Sequence, residues 1–150
     1  MTSFRFRLER LRALRERREQ LAQEQLAHSI SGLQRSREQL RESQAGVEQA
    51  LAEQRRATET ARTLDGGELR ARQAFLERME QQRRCQEEQL TRSEAEVARS
   101  NDRLALAASE HQMLVRLRER RRGEHAREQS RIEGQANDEL ATIRFRRSVA

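Results

Sequence analysis

The chain has 150 residues, 31 of them Arg and none Lys, against 25 Asp and Glu, for a net charge of +6. Mean hydropathy is −1.10, and the aromatic residues are four Phe, with no Trp and no Tyr. That is too little apolar bulk for a globular core of this length with a substrate pocket, and enough for a narrow seam between two helices. Ala, Glu, Leu, Arg and Gln dominate and Pro is absent, the composition of long helices and coiled coils. Strong helix formers and regular Leu spacing separate the chain from a disordered one of equal polarity.

The first helix is expected over about residues 3–62, with Ser3 fitting an N-cap. Phe4, Leu8, Leu11 and Leu14 fall on one face. Leu26, Leu33, Leu40 and Val47 then recur every seven residues, with Ile30 and Leu51 as partner positions, a heptad seam. Arg37 and Gln44 occupy seam positions where apolar residues would be expected. Gly32 and Gly46 each cost roughly 1 kcal/mol inside a helix; they either admit a close neighbour or mark soft points. Asp65-Gly66-Gly67 reads as a helix stop, giving a turn over about 63–67. The second helix is expected over about 68–143. Leu76, Leu90, Val97 and Leu104 keep the seven-residue beat, with Arg83 replacing one member, and Phe75, Met79, Leu106, Met113, Leu114 and Leu117 widen the stripe.

These elements give an all-α fold. Two long helices form an antiparallel coiled-coil hairpin, one domain over 1–150. Pairing back from the turn sets Phe4 opposite about Ala126. The C-terminal part of helix 2, with Ile132, Leu140 and Ile143, then overhangs without a partner in its own chain.

Charge follows the same plan. Residues 1–22 hold seven Arg against three Glu, and 114–150 ten Arg against six acids, while 23–113 hold fourteen Arg against sixteen acids. A hairpin therefore gathers about +8 at the end holding both termini.

No catalytic constellation stands out, and no enzyme, cofactor or metal is expected. Gly66-Gly67 lacks the Lys and Ser/Thr of a phosphate loop. His28, His111 and His125 have no i,i+4 spacing, and Cys85 is alone. The interleaved Glu and Arg read as solvated helix faces. Nucleic acid is disfavoured because Glu is interleaved with Arg, as in Arg7-Leu8-Glu9-Arg10 and Arg118-Glu119-Arg120, and no stacking platform is present. No run has transmembrane length and the N-terminus lacks the apolar stretch of a signal peptide, so a soluble cytoplasmic protein is expected.

The opening Phe4-Arg5-Phe6-Arg7-Leu8-Glu9-Arg10-Leu11, with Leu14-Arg15-Glu16, resembles the start of the FliJ family. Arg120-Arg121-Arg122-Gly123-Glu124 running to Asp138-Glu139-Leu140-Ala141-Thr142-Ile143-Arg144-Phe145 resembles its close. The resemblance implies a non-enzymatic component of flagellar type III protein export and motility, at the inner face of the cell membrane. Its paired termini would enter the ring of the export ATPase FliI like a central stalk and promote ring assembly and activity. It would also contact the cytoplasmic domain of the export gate protein FlhA and handle empty export chaperones. On this resemblance, ring-facing candidates are Arg5, Arg7, Arg10, Arg120, Arg121 and Arg122. Gate-facing candidates are Gln39, Phe75, Met79 and Gln86, although Ser43, Gly46 and Ala50 replace aromatic residues that the family pattern carries. For Phe75 and Met79 ordinary seam packing is the competing reading. The alternatives are the stalk of a virulence-type secretion system, a generic cytoplasmic coiled-coil scaffold, or an Arg-rich nucleic-acid binder.

Overall fold

The computed structural model describes residues 4–60 and 65–149, with side chains up to Phe145. The expected N-cap Ser3, helix end at 62 and turn positions 63 and 64 lie outside them. Among the described residues there are two helices, α1 (Glu9–Thr60) and α2 (Gly66–Val149), and no strand.

The helix boundaries differ from the sequence expectation in instructive ways. The Glu9 amide donates to Phe6 O at 3.1 Å and the Arg12 amide to Leu8 O at 2.9 Å, so α1 begins at Glu9 rather than near residue 3. Phe4, Arg5 and Phe6 precede it as irregular backbone. Gly66 and Gly67 do not stop a helix; they are the first two residues of α2, and no described glycine has positive φ. Asp65 stands in front of them. Its carbonyl accepts the Leu69 amide at 3.1 Å, and its Oδ2 lies 3.2 Å from where a Gly67 Cβ would be. An acidic residue at this position suits the partial positive charge of a helix start. At the far end α2 continues past 143 to Val149.

Contacts cluster into two compact units, a terminal unit (Met1–Gln20 with Ala105–Ala150) and a central unit (Leu21–Leu104). In the central unit the two chain segments run antiparallel, as the Ser36–Ser93 hydrogen bond and the approach of Met79 to Gly46 show together. Leu26, Leu33, Leu40 and Val47 are covered as expected. Their companions are not Ile30 and Leu51, which are exposed, but the small residues Ala22, Ser29, Ser36, Ser43 and Ala50. Arg37 and Gln44 point to solvent, leaving the adjacent Ser36 and Ser43 in the contact face. Across from them α2 supplies Leu76, Leu90, Ser93, Val97 and Ser100. One Ser36/Ser93 hydroxyl donates across the gap at 2.8 Å, and the other can return its hydrogen to a carbonyl of its own helix, Gly32 O or Gln89 O. Small residues let two backbones approach closely, so each covered methylene counts more than the sparse apolar content suggests.

The two helix glycines separate clearly. A Cβ on Gly46 would lie 2.6 Å from Met79 Cε, so Met79 of α2 reaches across onto α1 there. Gly32 has nothing within 4 Å of its would-be Cβ. Gly32→Ala is therefore expected to stabilise by up to about 1 kcal/mol, with no steric cost. A thermal melt followed by circular dichroism checks it, and a lowered midpoint would contradict the open space.

Candidate interaction surfaces

Polar and charged pairs cross the terminal unit. The sevenfold beat of α1, continued back from Ala22 and Leu26, arrives at Arg15 and Glu19. Arg15 pairs with Glu110, Glu9 with Arg118 at 3.3 Å, and the His111 Nδ1–H donates to Glu19 Oε2 at 2.6 Å. His111 Nε2 is buried without a hydrogen-bond partner. The apolar face expected at Leu8, Leu11 and Leu14 is turned outward instead, at 37%, 39% and 49% exposure. Leu106 and Met113, expected to widen the seam, are exposed too. Leu114 and Leu117 are half-buried. The Phe4 ring meets the His125 ring at 5.7 Å, one residue from the expected pairing with Ala126.

This unit carries the charge. Its two segments contain seventeen Arg against ten acids, +7, while the central unit holds fourteen Arg against fifteen, −1. Local pairs with i,i+3 spacing order some of these side chains. The Arg12 guanidinium donates to Glu9 Oε1 at 2.9 Å and holds that carboxyl below the usual carboxylate range; Arg131 does the same for Glu128. In the central unit Arg99 does so for Glu96. Carboxyls with depressed folded values stabilise fully above their unfolded values, and that contribution is lost as pH falls through the folded ones. Helicity should therefore decrease on acidification below about pH 4. A Glu9→Gln, Glu96→Gln, Glu128→Gln variant should show a flatter acid limb; an unchanged limb would remove these pairs as its source.

The structure distributes the ring-facing candidates as follows. Arg5, Arg7 and Arg121 line one groove of about 840 Å³, together with Phe4, Phe6, Leu8, Leu117, Glu124, His125 and Glu128. Arg120 lies outside this lining and pairs with Glu124 at 3.2 Å, as Arg121 does at 3.1 Å. Arg10 and Arg122 are exposed and also outside it. Sequence reasoning missed Phe6 and His125. The signal for Phe6 was present: Phe-Arg-Phe-Arg alternates with period two, the pattern of an extended segment. Phe4 and Phe6 are indeed half-buried and Arg5 and Arg7 exposed.

In the central unit, Gln39, Met79 and Gln86 line one cleft of about 300 Å³ with Glu42, Ser43 and Gln82. Phe75 is not in it. It borders a hollow of about 240 Å³ with Ala50, Gln54, Ala71 and Leu76, and at 47% exposure it is not a packed seam residue. Among the described residues no group of three metal-ligating side chains occurs, and no helix is long and apolar enough to cross a membrane.

Searches of curated proteins and of solved structures find no match to the chain. A protein-family model does match: that of the flagellar FliJ protein, over residues 4–150. With nearly the whole chain covered by that match, and two long helices with no described strand, the protein belongs to the FliJ family and is related to flagellar export.

Proposed function

We propose that this protein is a non-enzymatic stalk of the flagellar export apparatus, working through its terminal unit on the ring of the export ATPase FliI. The observation that carries this reading is the concentration of charge and uncovered apolar residues where the two chain ends lie. That unit is +7, exposes Leu8, Leu11, Leu14, Leu106 and Met113, and bears Arg120, Arg121 and Arg122 on a solvent-facing stretch. A basic surface accelerates and orients association with an acidic one, and exposed leucines supply the area that holds it. Residues 130–145 are all exposed, which supports reading the end of α2 as an overhang available to the ring. The sevenfold recurrence of covered positions in the central unit supports an antiparallel coiled coil. The cleft of Gln39, Met79 and Gln86, with exposed Phe75, is the surface offered to the gate protein FlhA; export chaperones are further partners. The protein then works in the cytoplasm, against the inner face of the membrane.

Addition of the purified chain to the export ATPase is expected to raise its hydrolysis rate and its hexamer content. Replacing Arg120, Arg121 and Arg122 with Gln should reduce that stimulation several-fold, because rim charges act on encounter. Absence of both stimulation and binding would overturn the reading.

A further inference from the structure

We propose that the groove between the N-terminal segment and α2 is a docking site for an acidic, leucine-bearing peptide segment of a partner protein. The proposal rests on the terminal unit being the partner-facing part of the chain. The groove has one apolar wall on each side: Phe4, Phe6 and Leu8 from the segment before α1, and Leu117 from α2. At about 840 Å³ it has room for several apolar side chains. Charge selects the occupant. Its two carboxylates are already matched, Glu124 by Arg120 and Arg121, and Glu128 by Arg131. Arg5 and Arg7 are exposed and form no ion pair among the described residues. The groove therefore presents unmatched positive charge beside apolar surface, which complements a segment carrying carboxylates next to Leu.

The same layout disfavours a nucleic-acid strand. A phosphate backbone carries charge at every nucleotide and brings nothing apolar to cover Phe6, Leu8 and Leu117. The Phe4 face is also already engaged with His125. Backbone chemistry favours a peptide as well. The amides of Arg5, Phe6 and Arg7 make no backbone–backbone hydrogen bond among the described residues, as in an extended segment open to strand pairing.

The test uses the full-length chain and a fluorescein-labelled synthetic peptide alternating Glu and Leu, read by fluorescence anisotropy. Saturable binding is expected, weakened about tenfold by Arg5→Glu with Arg7→Glu, since both reversed charges act on the same ligand. Those positions precede α1, so the variant leaves the helices intact, which circular dichroism verifies. Leu117→Ser should weaken binding independently of charge. A peptide with Ser for Leu, and one with Gln for Glu, should both bind poorly. Absence of binding, equal binding of the Ser peptide, or tighter binding of labelled oligothymidylate would each overturn the proposal. Export-ATPase stimulation read in parallel separates the two readings. Stimulation retained without peptide binding rejects the groove alone; peptide binding without stimulation supports the groove and rejects the ring.

Discussion

Replacing Leu76 with Ala is expected to destabilise the protein by about 2–3 kcal/mol. Leu76 is 7% exposed, and among the described residues only Leu76 and Val47 are larger than Ala while this well covered apolar residues. The cost sits at the low end of the usual range because the hollow beside Leu76, bordered by Ala50, Gln54 and Phe75, is already open to water. Urea unfolding would show the loss as a lower midpoint. Hydrogen exchange would localise it: amides over 50–60 and 66–80 should exchange faster, while those around 26–40 and 90–104 change less. A loss below about 1 kcal/mol would mean that the Leu76 side chain is not held as the structure places it.

The second large effect comes from adding volume rather than removing it. Ser100 is only 2% exposed, in the face of small residues that brings the two segments of the central unit together. Ser100→Leu is expected to cost about 1–3 kcal/mol, because two backbones held close by Ser and Ala must separate to admit it. Ser100→Ala keeps the volume and favours helix, so it should be near neutral. The pair of variants distinguishes close approach from generic burial. If Ser100→Leu were neutral or stabilising, the contact would be loose and the role given to small residues wrong.

Much of this was legible beforehand. Absence of Pro, helix-forming composition and the Leu26–Leu33–Leu40–Val47 beat pointed to two long helices, and the pairing Phe4 with about 126 was one residue off. The companion row was not legible, because a hydropathy pattern searches for large apolar residues. It therefore selects Ile30 and Leu51, whereas Ala22, Ser36, Ser43 and Ala50 allow a closer approach that Ile and Leu would prevent. The outward turn of Leu8, Leu11 and Leu14 was hidden for a related reason. Arg15 and Glu19 meet Glu110 and His111 across the unit, so polar pairs occupy the side of α1 that is covered there. The glycine pair reads as a stop because Gly commonly ends helices, yet here, with Asp65 in front, it opens α2. Of the proposed contacts, Gln39, Met79 and Gln86 converge because they lie on matching turns of antiparallel segments. The groove lining required knowing that residues 4–6 are not helical.

The Met79–Gly46 contact has a consequence for alignment of the two segments. Ser29, Ser36 and Ser43 on one side and Ser93 and Ser100 on the other repeat every seven residues. Sliding one segment by a heptad would set serine against serine again, so that row is a ruler with identical graduations. Met79 meets the one position in its neighbourhood that has no side chain. A heptad shift would present it instead with Gln39 or Glu53, where its methyl end has no such recess. A single methionine seated on a single glycine thus acts as the zero mark of a scale that otherwise repeats.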